Sequence, residues 1–395
     1  MTPSRPVAVS PEAVDADLMW GLFERFVSAD TCARVGENRV SPDDPRVVEF
    51  AHGVAAPALR ETGADVSIDT LNNVVARFGP DRGTELLFVA YPAAHHGQEM
   101  ADPLRARRDE IEGEERWIGL GASQSKGALA ALCAAIRLLQ ERGLDLEGRM
   151  TVVVSSEGSS THASSRELFA GFAHLPRGAV LVVGTENRIT LGNRGRVDVV
   201  VEVRGQSTHS SSPHLGRNPI PVVAEVQRRL AGLPLDLTSH DRLGTRALVP
   251  YKLVCGPVAP HTIPDHCTLV LDRRTLPDDE ESAIVAEIAA VLEDLPVTVG
   301  RGASMLPALV SEDDGVVVAL QTGARHALGR SLDIFYPPYT FDAGYPCSLG
   351  VPTVMCGPSS SDFGGPDVLG ADFVLLRHLR EAAAVFAAAV AADTS

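Results

Sequence analysis

Long apolar runs are missing from this sequence. Nowhere do about 20 apolar residues follow one another, the length needed to cross a bilayer, and the opening stretch MTPSRPVAVSPEAVDADLMW lacks the apolar core of a secretory signal. Both absences point to a cytoplasmic protein with no membrane partner. Positive charge is also short: 35 Lys and Arg stand against 51 Asp and Glu, a formal charge of −16. That balance argues against the clustered basic face a phosphate backbone requires, so no nucleic-acid partner is expected. The cysteines, Cys32, Cys133, Cys255, Cys267, Cys347 and Cys356, show no CxxC spacing. In a reducing compartment they read as free and mostly buried thiols. Internal repeats and low-complexity tracts are absent as well.

What is present is a globular composition, 45% apolar and 22% charged over 395 residues, long enough for two compact units. The first part alternates apolar runs with amphipathic helices. Leu86-Leu87-Phe88-Val89 and Met150-Thr151-Val152-Val153-Val154 flank a helix that starts near Lys126, places Leu129, Leu132, Ile136 and Leu139 on one face, and stops at Arg142-Gly143. Val180-Leu181-Val182-Val183, ended by Gly184, reads as a strand buried on both faces. From Arg196 the pattern becomes strict alternation, Val197-Asp198-Val199-Val200-Val201-Glu202-Val203, then a helix over 221–230, a strand near 268–271 and a helix over 280–292. An Ala-rich helix over 375–392 closes the chain. The rhythm predicts an α/β protein of two domains: a mixed sheet covered by helices, with a smaller α/β unit inserted.

Several segments resemble those of the di-zinc amidohydrolases and exopeptidases, the family of aminoacylase, acetylornithine deacetylase, succinyl-diaminopimelate desuccinylase and carboxypeptidase G. They are Gly119-Leu120-Gly121-Ala122-Ser123-Gln124-Ser125-Lys126-Gly127, Gly205-Gln206-Ser207-Thr208-His209-Ser210-Ser211-Ser212-Pro213 with Asn218-Pro219-Ile220, Leu271-Asp272-Arg273-Arg274-Thr275-Leu276-Pro277, and Phe341-Asp342-Ala343-Gly344 followed by Gly350-Val351-Pro352-Thr353. The resemblance runs in order from about Asp69 to the C-terminus. It implies a catalytic-type domain of 1–194 and 304–395, an inserted lid or dimerisation domain of 195–303, and a homodimer.

The same resemblance marks where metal ligands would stand, and most of those places hold residues that cannot bind zinc. The histidine and aspartate after the first strand are Tyr91 and Ala93, the bridging aspartate is Gln124, and the carboxylate after Val183-Gly184 is Thr185, with Glu186 beside it. The paired glutamates, one a base and one a ligand, are represented by Ser155-Ser156-Glu157-Gly158; which of the two Glu157 replaces stays open. No histidine stands near Phe363-Gly364-Gly365. Zinc needs His, Asp, Glu or Cys donors, so no cofactor is expected, and zinc enters only if the ligand set is rearranged around His95, His96, Glu99, His162, Glu186 or Asp362.

Other features persist. The resemblance implies that His209 enters the neighbouring subunit's site and donates a hydrogen bond to the oxyanion of a tetrahedral intermediate, the alternative being a histidine packed at the dimer interface, and that His261 and Asn218 line the substrate site. Arg273 or Arg274 could clamp a substrate carboxylate through two parallel hydrogen bonds or be tied to Asp272 as a structural ion pair. Tyr91, Gln124, Ser156 and Thr185 would then form a polar pocket around Glu157, a general acid or base. The function expected is chemistry at the amide bond of a small, carboxylated N-acyl amino-acid-like or peptide-like substrate, by hydrolysis, acyl transfer or cyclisation without the di-zinc centre. The alternatives are a metal-dependent hydrolase with rearranged ligands and a non-catalytic small-molecule-binding or partner protein.

Overall fold

The computed structural model describes residues 9–33, 40–80, 83–92, 100–156, 161–233, 239–360 and 372–392. The chain divides into two compact units, one of 1–192, 308–336 and 342–395, the other of 193–307 with 337–341.

The larger unit is built on a mixed eight-stranded sheet. Its spatial order is Asp65–Ile68, Val74–Arg77, Met150–Val154, Leu86–Ala90, Gly178–Leu181, Thr353–Met355, Ile189–Thr190 and Ile334–Phe335. Leu86–Ala90, Met150–Val154 and Gly178–Leu181 are mutually parallel and buried along their whole length, as their unbroken apolar runs require. The helix Gly127–Glu141 buries Leu129, Leu132, Ile136 and Leu139, and Gly143 follows it in the left-handed region at φ 72°. The last helix, Leu376–Ala391, packs against Gly127–Glu141 and Gly315–Leu328. Its alanines allow close approach: at Gly323 an added Cβ would lie 2.7 Å from Ala389 N and Val385 O. A two-residue turn at Glu112-Gly113 joins the strands Arg107–Ile111 and Glu114–Ile118, which the sequence did not announce because their side chains are charged rather than alternating.

The smaller unit holds a four-stranded antiparallel sheet in the order Ala247–Gly256, His266–Thr275, Gly195–Arg204 and Val297–Met305. Val197, Val199, Val201 and Val203 form its buried face together with Leu269 and Leu271, against the helices Ile220–Ala231 and Glu281–Val291. The edge strand Ala247–Gly256 escaped the pattern because it is exposed on both faces through Val249, Tyr251, Leu253 and Val254. Its register overturns the expectation of six free thiols. Cys255 stands directly opposite Cys267, and the two form a disulfide, while Cys32, Cys133, Cys347 and Cys356 are not disulfide-bonded. Strand pairing, which no spacing of cysteines displays, brings the two together. No helix among the described residues is long and apolar enough to cross a membrane.

Candidate functional site

Three parallel strands of the larger unit deliver candidate residues at their carboxyl ends, where open α/β sheets keep their ligands. Buried Tyr91 follows Leu86–Ala90, Ser155 and Ser156 follow Met150–Val154, and Thr185 comes after Gly178–Leu181. Ser155 N–H donates to Ala90 O at 2.8 Å, and Gly184 N–H donates to Gln124 O at 3.0 Å, which joins these ends to the turn Ala122–Lys126. Only glycine fits at 184, since a Cβ would sit 1.9 Å from Ser123 O.

That turn closes around a carboxylate from the far end of the chain. Asp372 accepts from Gly121 N–H at 2.6 Å, from Ser123 N–H at 2.8 Å and from the Ser123 hydroxyl at 2.7 Å, with Gln124 Nε2 at 3.5 Å. Burial raises the Asp372 pKa, while the bonds from Ser123 and Gly121 and the charge of Lys126 act in the opposite direction. Lys126 is wholly buried and donates to Ala29 O at 2.7 Å; burial lowers its pKa to about 8 against the attraction of Asp372 and Asp30. Gln124 thus carries an amide that approaches an internal carboxylate.

A second polar group surrounds Ser156. Asn73 Oδ1 accepts from Ser156 N–H at 3.0 Å, Asn73 Nδ2 donates to Asp69 Oδ2 at 2.7 Å and to Ser164 O at 3.2 Å, and the Ser156 and Ser164 hydroxyls lie 3.0 Å apart. Beyond it, His162 Nδ1 lies 3.0 Å from Asp342 Oδ1 with both side chains buried, and its ring packs against Tyr345. His162 is therefore neither a solvated surface residue nor an isolated imidazole. In the loop after the third strand, the Thr185 hydroxyl donates to Arg188 O at 2.6 Å and accepts from Gly357 N–H at 3.1 Å. Glu186 and Asn187 both adopt left-handed backbone, φ 55° and 57°, a conformation non-glycine residues keep only where neighbours impose it. Ser359 Oγ, accepting from Glu186 N–H, and His378 O, accepting from Asn187 Nδ2, are two of those neighbours. Glu157, His95, His96, Glu99 and Asp362 lie outside the described residues.

As a cradle for divalent cations, Tyr91, Gln124, Ser156 and Thr185 offer a phenol, a carboxamide and hydroxyls. These are weak donors beside carboxylate or imidazole, and no group of three or more His, Cys, Asp or Glu side chains able to hold a metal occurs among the described residues. Tyr91, Gln124, Ser156 and Thr185 do not fit a di-zinc pair.

The smaller unit carries its own cluster. His209 ends the short strand Thr208–His209, paired with Thr262–Ile263, and its ring lies 5.9 Å from that of His261. Ser211 N–H points at His209 Nδ1 at 3.2 Å, with the Ser211 hydroxyl at 2.8 Å. A backbone N–H can only donate, so Nδ1 is an acceptor and the neutral ring carries its proton on Nε2. His209 is thereby a donor through Nε2. His261 is held at φ 53°, and its carbonyl accepts from Ser210 N–H at 2.7 Å. The arginines divide by face: Arg273 is buried on the helix side with its Nη1 donating to Arg274 O, while Arg274 pairs with Asp272 at 2.8 Å and donates to Thr340 Oγ1. Asn218 Oδ1 accepts from Ile220 N–H at the start of a helix.

Sequence reasoning gave no role to Asn73, Ser164, Asp342 or Asp372. Asp342 stands inside a quoted segment, but its partner lies 180 residues away, and Asp372 reaches back 251 residues to Gly121. Neither pairing leaves a local signal.

Residues 191–299 match the peptidase dimerisation domain of M20 type. A succinyl-diaminopimelate desuccinylase from Rhodospirillum centenum is 27% identical over 264 residues, 63% of this chain and 67% of that protein. Among solved structures, the di-peptidase Dug1p from Saccharomyces cerevisiae superposes with a TM-score of 0.72 at 14% identity, covering 96% of this chain and 97% of its own. Human carnosine dipeptidase 1 gives 0.69 at 17%, with 95% of each chain covered. The M20 family metallo-carboxypeptidase Sso-CP2 from Sulfolobus solfataricus gives 0.69 at 15%, covering 95% and 99%. These structural likenesses show the fold, a mixed α/β architecture with an inserted dimerisation domain. The matched domain, the desuccinylase relative and the ordered segments along the chain are those of the M20 amidohydrolases and exopeptidases, to which this chain is similar.

Proposed function

We propose that this protein is a cytoplasmic, homodimeric enzyme that acts on the amide C–N bond of a small, carboxylated N-acyl amino-acid-like or peptide-like substrate without the family's di-zinc centre. The supporting observation is Gln124: where two cations would need a shared carboxylate, a neutral amide approaches the internal carboxylate of Asp372. The reaction, whether hydrolysis, acyl transfer or cyclisation, then relies on Glu157 as general acid and base and on His209 as oxyanion donor. The tautomer imposed by Ser211 N–H suits that task, since it leaves Nε2–H to donate. An oxyanion donor of this kind lowers a barrier by about 3–4 kcal/mol. Without a metal to polarise the carbonyl, the substrate must itself be activated. The buried hydroxyl and amide network of Ser156, Ser164 and Asn73 would orient it, Arg274 and His261 would face its polar groups, and the apolar side chains exposed on the edge strand Ala247–Gly256 supply surface for a second copy.

The test is turnover of a panel of N-succinyl and N-acetyl amino acids and dipeptides by chelator-free protein, with Glu157→Gln alongside. Loss of at least a hundredfold in kcat with binding retained is expected; full turnover by the variant refutes the role of Glu157. A second reading, a metal-dependent hydrolase rebuilt around His95, His96, Glu99, His162, Glu186 or Asp362, draws on the His162–Asp342 pair, because a carboxylate on the far ring nitrogen is the usual support of a metal-bound histidine. Elemental analysis tests it: about one equivalent of zinc, cobalt or manganese per chain supports the second reading, and less than about a tenth is incompatible with a tight metal site.

A further inference from the structure

We propose that Cys255 and Cys267 form a reversible redox site whose state sets the order of the loop carrying His261 and, through it, the pose of His209. The two cysteines close the foot of a loop: the chain leaves the edge strand Ala247–Gly256, turns through 257–265 and returns as His266–Thr275. Within that loop Thr262–Ile263 pairs with Thr208–His209, Ser207 Oγ donates to Ile263 O at 2.9 Å, and Ser210 N–H donates to His261 O at 2.7 Å. The loop is thus the backing against which His209 is placed.

Hydrogen bonds hold it too, among them Gly205 N–H to Asp265 O at 2.6 Å and Asp265 N–H to Gly256 O at 2.9 Å, but none of them is covalent. Val258 is 96% exposed, so apolar burial in the loop is confined to Ile263 and Pro264. Within its own chain the edge strand pairs with His266–Thr275 alone, and its register shifts between Pro250, which has no N–H, and Lys252. Left-handed backbone at His261 is a conformation that relaxes when its surroundings loosen. A covalent link at Cys255 and Cys267 is the strongest restraint on this segment.

The chemistry is thiol–disulfide exchange with a dithiol or the glutathione pool. Cys267 is fully buried and Cys255 partly exposed, so an incoming thiolate attacks Cys255 Sγ. The Cys267 thiolate leaves and takes a proton, and a second external thiolate resolves the mixed disulfide. Cys255 is released as a thiol and the two external thiols leave as their own disulfide. Glutathione disulfide runs the sequence backwards. Cys133 and Cys356 do not compete: burial pushes both thiols up to about 12, and Cys347 up to about 11, which keeps them protonated.

The inference rests on the proposed role of His209 for its effect on turnover alone. Full-length protein is equilibrated with glutathione disulfide or with dithiothreitol, and three quantities are read: disulfide mapping, amide exchange over 256–266, and the 15N tautomer signature of His209. The expected result is a mapped 255–267 bond, amide exchange at least tenfold faster on reduction, loss of the Nδ1-acceptor signature of His209, and recovery of all three on reoxidation. Cys255→Ser should match the reduced form in either buffer; if it does not fold, reduction of the wild type supplies the same comparison. Six alkylatable thiols after glutathione disulfide treatment would overturn the proposal, as would exchange and tautomer that ignore the redox state. A loop that responds while turnover of an active substrate does not would leave the redox site standing and remove His209 from the reaction.

Discussion

Replacing Asp372 with alanine tests how the turn that carries Gln124 is held. The side chain accepts from two backbone N–H groups and one hydroxyl inside the protein. Hydrogen bonds to a charged group contribute about 1.5–3 kcal/mol each, but the carboxylate's own burial offsets part of this, as its raised pKa shows. Truncation leaves the donors of Gly121 and Ser123 facing a void and Lys126 with Asp30 alone as opposing charge, so the expected loss is about 3–5 kcal/mol. Asp372→Asn should cost less, about 1–2 kcal/mol, because the amide keeps one acceptor but must turn its NH2 towards a donor. The chain provides its own probe. Its two tryptophans, Trp20 and Trp117, meet edge to face at 5.0 Å, and Trp117 pairs with Val374, two residues from Asp372. Tryptophan fluorescence in a urea titration therefore reports on the larger unit where the change is made. A loss below about 1 kcal/mol for the alanine variant would show that water can satisfy this turn and that Asp372 does not organise it.

Two further outcomes follow from buried groups. Burial takes Lys126 from an ordinary 10.5 down to about 8, so between those values the unfolded chain binds more protons and wild-type stability, measured against Lys126→Met, should rise with pH by about 3 kcal/mol in total; a flat difference between pH 8 and 10.5 in paired urea titrations contradicts it. Gly323→Ala should destabilise by about 1–3 kcal/mol, because its Cβ meets backbone of the last helix at 2.7 Å, and an unchanged melting temperature would mean that the two helices separate freely.

The sequence made the fold legible where burial imposes a period. Val197, Val199, Val201 and Val203 alternate because one face of their sheet is covered, and Leu129, Leu132, Ile136 and Leu139 recur at helical intervals because one helix face is buried. It hid elements whose residues do not alternate between apolar and polar: the edge strand Ala247–Gly256, largely exposed, and the hairpin Arg107–Ile111 with Glu114–Ile118, in which Trp117 and Ile118 are buried. The site was legible to the extent that strand ends expose it. Tyr91, Ser156 and Thr185 could be placed from the strands they follow, whereas Asn73, Asp342 and Asp372 act across long stretches of chain and look ordinary locally. Residue type proved a poor guide to what a group is doing: the Thr185 hydroxyl is engaged by backbone and Arg273 is buried within its sheet.

These hidden pairings bear on how the proposed reaction would work. A metal pair supplies positive charge where an amide carbonyl must be polarised, and an enzyme without it needs dipoles already fixed in place, since groups that reorient during reaction return little of their interaction energy. In the larger unit the fixed dipoles are those of the Ser156–Asn73–Ser164 network and of the turn locked by Asp372. In the smaller unit the Nε2–H of His209 is fixed by Ser211 and backed by the His261 loop. Each is rigid through bonds made inside its own unit. Disturbing Asp372 should therefore leave the His209 tautomer unchanged, and reducing the Cys255–Cys267 bond should leave the urea midpoint reported by Trp117 unchanged. Movement of either reporter by the other perturbation would require a coupling that these internal contacts do not provide.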